Sequence, residues 1–270
     1  MASIKFATWN INSVRLRIEL VGKLLQEQNI DVLCLQETKC PNDAFPEKAL
    51  HKFGYEHIAK HGQKGYHGVA IISRIPLEDV KMRVFCEKDD TRHISATIAG
   101  TDGLRIHNFY VPAGGDEPNP EINEKFAHKL QFLEEMISWY KGHKDKKNNK
   151  LILVGDLNIA PLEEDVWSHK KLLKVISHTP VEVDLFEKFM SSHSWIDVMR
   201  EFVPSTEKLY TWWSYRSKDW RTSNKGRRLD HVLTSPALAG KTTSMTVYSD
   251  ARSWERPSDH APVIFDVDIS

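Results

Sequence analysis

Several short stretches place acids and amides where an apolar strand ends. In Leu151–Pro161, LILVGDLNIAP, four apolar residues give way to Asp156 and Asn158, and Pro161 bars continuation as a central strand. IKFATWNIN ends in Asn10 and Asn12, DVLCLQETK in Glu37 and RIHNFYVPAG in Tyr110. RRLDHVL carries Asp230, and RPSDHAPV carries Asp259 and His260. The set holds carboxylates, amides, a tyrosine and a histidine, with no cysteine and no serine in a nucleophile elbow. Oxygen donors without soft ligands suit a hard cation, Mg2+ or Mn2+, and Mg2+ keeps most of its waters for a phosphate substrate. With amide and hydroxyl donors and an Asp–His pair, the chemistry indicated is phosphoester hydrolysis. Residues two apart on an extended chain project to one side, about 6–7 Å apart. Asp156 and Asn158 are therefore expected to face the same site.

Each residue alone has a plainer reading. Asp156 or Asn158 is a turn former, Glu37 a surface acid, His260 a structural hydrogen-bonder and Tyr110 a core residue. Only the combination points to chemistry, and it requires elements that bring strand ends to one crevice. Strand-like stretches fall at Ile4–Thr8, Val32–Gln36, Val69–Ser73, His93–Ile98, Leu104–Tyr110, Leu151–Val154, Leu229–Thr234, Thr243–Tyr248 and Pro262–Val267. Val14, Ile18, Val21 and Leu25 recur at helical spacing, as do Phe126, Leu130, Leu133, Ile137 and Tyr140, with Asn119–Pro120 as the expected start of the second helix. Strands interleaved with a few helices predict an α/β or α+β chain with a largely antiparallel sheet, one long helix in each half. Lys141–Lys150 reads as a solvated loop, so residues 1–270 are taken as a single domain.

The bulk properties narrow the alternatives. With 37 basic and 37 acidic residues the formal charge is zero, which lowers the expectation of nucleic-acid binding without excluding a basic rim balanced by an acidic, metal-carrying cluster. No apolar run reaches membrane-spanning length, and the start carries no secretory pattern. Cys34, Cys40 and Cys86 lack metal-type spacing, so a reducing, cytoplasmic setting is expected.

TWNINSVR, DVLCLQETK, HGQKGYHGVAI, NFYVPAGG, LVGDLNIAP, YTWWSYRSK, RRLDHVL and RPSDHAPV occur in the order found in the exonuclease III family of DNA repair nucleases. The chain resembles that family, part of the endonuclease/exonuclease/phosphatase superfamily that includes DNase I, from Lys5 to Val267. The resemblance implies a four-layered α/β sandwich, two packed mixed or antiparallel sheets flanked by helices. It implies Glu37 as principal metal ligand with Asn10 close by, Asp259 on the metal side, and Asp156 and Asn158 near the ion. By the same resemblance Asn10 and Asn158 grip phosphate oxygens, Tyr110 contacts the phosphate or the leaving oxygen, and Asp230 orients His260. The residues leave both Asp156 and His260 as candidates for the base.

The implied partner is duplex DNA with abasic sites or 3′ ends, bound by a monomer, with no membrane. Tyr210–Arg228 interleaves Trp212, Trp213 and Tyr215 with Arg216, Lys218, Arg221, Lys225 and Arg227. Such cations pair with phosphates and such aromatics wall a pocket. By resemblance Trp212 and Leu229 line the pocket for a flipped abasic sugar, with Asn12, Arg216 and Arg227 among the substrate contacts. Two positions depart from the family pattern. Ala113 stands where an amide is usual, and Arg227 where a bulky apolar residue is usual. Both bear on the balance between abasic cleavage and 3′-exonuclease activity. The competing readings are a phosphoesterase acting on RNA, a phosphoinositide or a sphingolipid, and a catalytically inactive binding relative.

Overall fold

A computed structural model of the chain describes residues 3–143, 148–217 and 219–270. Lys218 and part of the Lys141–Lys150 loop lie outside the described residues, as do Met1 and Ala2 at the start. The strands are, in chain order, β1 (Ser3–Asn10), β2 (Val32–Gln36), β3 (His57–His61), β4 (Val69–Ser73), β5 (Leu77–Met82), β6 (His93–Ile98) and β7 (Arg105–Tyr110). They continue with β8 (Leu151–Asp156), β9 (Ile196–Asp197), β10 (Trp212–Trp213), β11 (Gly226–Arg227), β12 (Asp230–Thr234), β13 (Thr242–Val247) and β14 (Val263–Asp268). The helices are α1 (Ile18–Glu27), α2 (Glu47–Lys52), α3 (Glu124–Lys141), α4 (His169–Leu172), α5 (Pro180–His193), α6 (Val198–Phe202) and α7 (Trp220–Ser223).

Two sheets of six strands run in the orders β13-β14-β1-β2-β4-β3 and β5-β6-β7-β8-β12-β9. Each contains one parallel pair at its centre, β1 with β2 and β7 with β8, and is otherwise antiparallel. Parallel neighbours need a crossover, and α1 and α3 supply it. The period-two alternation of the strands decides which residue meets which layer. Phe6, Cys34, Ile71, Ile94, Ile106, Val154, Val232 and Phe265 pack between the sheets. On the outer face of the first sheet Trp9, Leu33 and Leu35 meet Val21, Leu24 and Leu25 of α1. On the outer face of the second, Phe109, Leu153 and Leu233 meet Phe132, Leu133 and Met136 of α3 and Phe186 and Phe189 of α5. These layers are the four expected of the sandwich.

One polar bridge crosses the apolar middle layer. Gln36 Nε2 donates to Thr8 Oγ1 (2.9 Å) and to Asn108 Oδ1 (2.7 Å), and Asn108 Nδ2 donates to the carbonyls of Leu35 and Ala70 (both 2.9 Å). Buried amides left unpaired would cost several kcal/mol, roughly. Here they tie β7 of one sheet to β1, β2 and β4 of the other beside the polar strand ends. Gly155 allows the closest approach: its φ is 137°, and a Cβ there would stand 1.9 Å from the Phe109 carbonyl oxygen.

The elements differ from the sequence expectation at identifiable places. Helix α3 starts not at Asn119–Pro120 but one turn later, because the Asn123 side chain accepts from the backbone N–H of Lys125 and Phe126, while Asn119 Oδ1 accepts from Glu121 N in a local turn. Val14 precedes α1 and is held in the loop by its N–H to the Thr38 carbonyl (3.1 Å). Helix α5 was not anticipated, although Thr179, Pro180 and Glu182 spell its start: Glu182 accepts from Thr179 N (3.2 Å). The edge strand β5 was also missed, since LEDVKM is almost wholly exposed and shows no apolar face. The three cysteines are free and buried. Among the described residues no helix is long and apolar enough to cross a membrane.

Candidate active site

The polar residues occupy the strand ends facing between the sheets. Asn10 is the last residue of β1, Tyr110 of β7 and Asp156 of β8, and Tyr110 pairs with Asp156 in register. Asp230 is the first residue of β12, not the last. Antiparallel pairing sets it opposite Asp156, so an amino end meets a carboxyl end. Asp259 and His260 likewise precede β14, whose Val263 pairs with Thr8 of β1. Beyond the strands, Glu37, Asn12 and Asn158 take left-handed φ values of 49°, 47° and 54°. Such backbone in non-glycine residues costs about 1–3 kcal/mol and concentrates at functional sites. It also corrects the expected geometry: the chain is not extended from Asp156 to Asn158. It turns back, so that Asp156 Oδ1 accepts from Asn158 N (3.0 Å) and Asn158 Nδ2 donates to the Val111 carbonyl (2.9 Å).

Asn10 stands at the centre. Its Nδ2 donates to Glu37 Oε1 (3.0 Å) and to Asp156 Oδ2 (2.9 Å), while Oδ1 accepts from Asn12 N (3.1 Å). In this arrangement Asn10 joins the two carboxylates as a donor. Asn12 Nδ2 donates to Asp259 Oδ1 (3.2 Å). His260 Nδ1 donates to Asp230 Oδ2 (2.8 Å), and its Nε2 lies 3.7 Å from Asp156 Oδ2. The loop carrying His260 is pinned through its carbonyl by Trp9 Nε1 (2.9 Å), and Ser258 Oγ donates to the Asn10 carbonyl (2.6 Å).

Burial and neighbouring charge act against each other here. Burial alone would make His260 less basic. The Asp230 carboxylate, then that of Asp156, outweighs it and raises the imidazole well above its ordinary value. Asp156 is pushed up by burial, with His260 opposing and Asp230 reinforcing. Burial raises Tyr110 well above the usual phenol range, and Glu37 and Asp156 add to it, so the hydroxyl keeps its proton. Glu37 and Asp259 end below the usual carboxylate range despite burial, Glu37 through Lys39 and the Asn10 amide, Asp259 through His260 and Trp212.

Of the predicted substrate residues, Asn12 lies at this junction, and Trp212, Arg216, Arg227 and Leu229 form a neighbouring wall. Trp212 Nε1 donates to Asp259 Oδ2 (2.9 Å), which joins the wall to the site. Leu229 packs with Ala160, Val166, Leu172 and Trp212. Arg227 lies 5.3 Å over the Trp212 ring and donates to the Ile176 carbonyl (3.1 Å) and Ser177 Oγ (2.9 Å). Trp212 and Arg227, with Lys225 and the exposed Arg216, edge a cleft of about 750 Å3. Ala113 edges a second cleft, of about 570 Å3, shared by Glu37, His67 and Tyr110.

The chain matches the Endonuclease/Exonuclease/phosphatase family over residues 7–260. It belongs to that family. It is 30% identical over 269 residues to the exodeoxyribonuclease III of Haemophilus influenzae, covering 96% of this chain and 98% of the relative. Its structure superposes on that of an AP endonuclease from Archaeoglobus fulgidus with a TM-score of 0.90 and 35% identity, covering 98% of this chain and 100% of the other. A 3′-5′ exonuclease from Neisseria meningitidis gives 0.88 and 34%, covering 98% and 100%.

The donor set of this family member fits a hard divalent cation. Glu37, Asp156, Asp230 and Asp259 supply hard carboxylate oxygens, and Asp230 Oδ1 is buried without a hydrogen-bond partner. Asp156, Asp230 and His260 also offer ligand atoms within 4.8 Å of one another, but the His260–Asp230 hydrogen bond occupies that imidazole, which leaves the oxygen donors on the Glu37 side for the ion. Sequence reasoning missed several residues that serve the site. Lys39 Nζ meets Glu37 Oε2 (2.7 Å) and Asn12 Oδ1 (2.5 Å), only two residues from the acid it pairs. Lys129, fully buried on α3, donates to the Asn158 carbonyl (2.7 Å) and pairs with the equally buried Glu182. A lysine in the apolar stripe between Phe126 and Leu133 was the available signal.

Proposed function

We infer that this protein is a metal-dependent DNA repair nuclease, a phosphodiester hydrolase that cuts duplex DNA 5′ to abasic sites and removes nucleotides or blocking groups from 3′ ends. The observation that carries the reading is the junction at which Asn10 joins Glu37 to Asp156 while His260, held by Asp230, faces Asp156. DNA as substrate is supported by the exodeoxyribonuclease, the AP endonuclease and the 3′-5′ exonuclease that the chain matches along almost its whole length. We assign Mg2+, with Mn2+ as substitute, to Glu37 and Asp259 with Asp156, Asn10 and Asn158 adjoining. When bound, such an ion polarises the phosphoryl oxygen and acidifies water. We take the protein to act as a monomer in the cytoplasm.

The chain's own groups divide the remaining work. Asp156, raised by burial, accepts the proton of the attacking water. His260, kept protonated by Asp230, donates from Nε2 toward the phosphate and offsets its growing charge. Of the two candidates for the base, these opposite tendencies favour Asp156. Asn158 has a second amide N–H for a phosphate oxygen, and Tyr110 donates its retained proton to the phosphate or the leaving oxygen. The test is one duplex with a central abasic site and one with a recessed 3′ end, each incubated with Mg2+ and with a chelator. Metal-dependent nicking or shortening is expected, lost in Asp156→Asn and in His260→Ala. Full activity in both variants would overturn the assignment.

A further inference from the structure

Arg17 precedes α1, and its side chain is nearly buried. Every hydrogen bond recorded for its guanidinium goes to a neutral oxygen. Nε donates to the Arg256 carbonyl (2.9 Å), Nη1 to the carbonyls of Ile11 (3.3 Å) and Asn12, and Nη2 to Tyr215 Oη (3.0 Å). The Tyr215 hydroxyl in turn donates to the Pro257 carbonyl (2.8 Å). One planar fork therefore joins three segments that lie far apart in sequence. The first carries Asn12, whose backbone and side chain reach Asn10 and Asp259. The second leads into Asp259 and His260. The third belongs to the aromatic stretch beside the 750 Å3 cleft. Both joined loops also hold strained backbone, with φ of 47° at Asn12 and 49° at Arg256. Strain of this kind persists only where the surroundings over-determine it.

We propose that Arg17 is a positioning residue for hydrolysis: with Tyr215 it locks the Asn12 loop onto the loop carrying Asp259 and His260. The inference rests on the reading of this site as the hydrolytic centre. Its action is mechanical, since its bonds go to backbone carbonyls and a tyrosine hydroxyl. A lysine keeps the charge but cannot reproduce a fork with four acceptors.

The test compares Arg17→Lys, Tyr215→Phe and the double variant. Tyr215 is 48% exposed, so its substitution leaves the core untouched. Displacing reacting groups by about 1 Å costs roughly 100-fold in rate. We expect kcat to fall about 10- to 100-fold in Arg17→Lys with KM changed less than about threefold. Tyr215→Phe should lose less, and the double variant should be no worse than Arg17→Lys, because both act in one network. Added guanidinium should restore part of the kcat of Arg17→Ala. Hydrogen exchange of residues 10–13 and 256–260 should quicken in all three substitutions at Arg17 and Tyr215. A change confined to KM would make Arg17 a DNA contact, and a change confined to melting temperature would make it merely structural; either overturns the proposal. If the native protein cuts neither duplex, the functional reading fails, and the exchange measurement still decides the clamp: unchanged protection refutes it.

Discussion

Replacing Asp230 by asparagine isolates the charge on His260. The substitution keeps volume and shape and removes the carboxylate that accepts from His260 Nδ1 at 2.8 Å, between side chains 0% and 5% exposed. The amide oxygen can still accept from Nδ1 but carries no charge, and the carboxylates left are Asp259 and Asp156, whose Oδ2 at 3.7 Å is too far for a good hydrogen bond. Burial, until then outweighed, pulls the imidazole toward its neutral form. A hydrogen bond to a charged group contributes about 1.5–3 kcal/mol. At about 1.4 kcal/mol per tenfold in rate, kcat near neutral pH should fall about 10- to 100-fold. The pH profile carries the distinguishing sign. The folded value of His260 lies above the roughly 6.5 of unfolded histidine. Its contribution to activity and stability is therefore complete below about pH 6.5 and is lost as the pH climbs through the raised folded value. In Asp230→Asn that loss should move to lower pH, so the alkaline limb of the kcat profile should shift to lower pH. Steady-state cleavage of the abasic duplex across pH, with melting curves on the same samples, measures both. A kcat within about twofold of native, or a deficit independent of pH, would refute the role assigned to the pair.

Other perturbations follow from the same geometry. Gly155→Ala would place a methyl 1.9 Å from the Phe109 carbonyl oxygen at a φ of 137°. Its urea midpoint should drop by the equivalent of at least about 2–3 kcal/mol, and an unchanged midpoint would mean that β7 and β8 part freely. Burial holds His93 down at about 3 and His231 down at about 4. Their contribution to stability is therefore present above about pH 6.5 and lost as the pH falls through the folded values, and His231→Gln should flatten the acid limb of melting temperature against pH. Arg227→Leu removes the guanidinium held against Trp212, Ile176 and Ser177. It should raise abasic nicking relative to 3′ shortening by about tenfold, measured on the two duplexes in parallel.

Much of the architecture is local and could be read along the chain. The apolar runs in IKFATWN and LILVGD mark strands buried by the layers on either side, and the polar residue closing each run is covalently fixed to that register. Helix α5 was missed although Leu185, Phe186 and Phe189 recur at helical spacing and a Thr–Pro–Val–Glu box marks its start. The edge strand β5 was lost because exposure on both faces removes the periodic signal. The start of α3 was misplaced by four residues, Asn119 against Asn123, because both asparagines accept from a backbone N–H two residues on, and nothing local distinguishes a turn from a cap.

The sequence alone determined the chemical inventory: carboxylates, amides, a tyrosine and a histidine at the ends of apolar runs, and the family to which their order belongs. Which of them meet was decided by the tertiary structure. Asp230 and His260 reach Asp156 from the amino ends of β12 and β14, a consequence of antiparallel pairing that no spacing along the chain encodes. The turn that points Asn158 back at Val111, the lysine buried behind its carbonyl and the guanidinium that gathers Ile11, Asn12, Tyr215 and Arg256 were likewise invisible. So were the protonation states. A residue's type sets its ordinary pKa, but the shift depends on how much water is excluded and which charges stand within a few ångströms, and both are properties of the folded molecule.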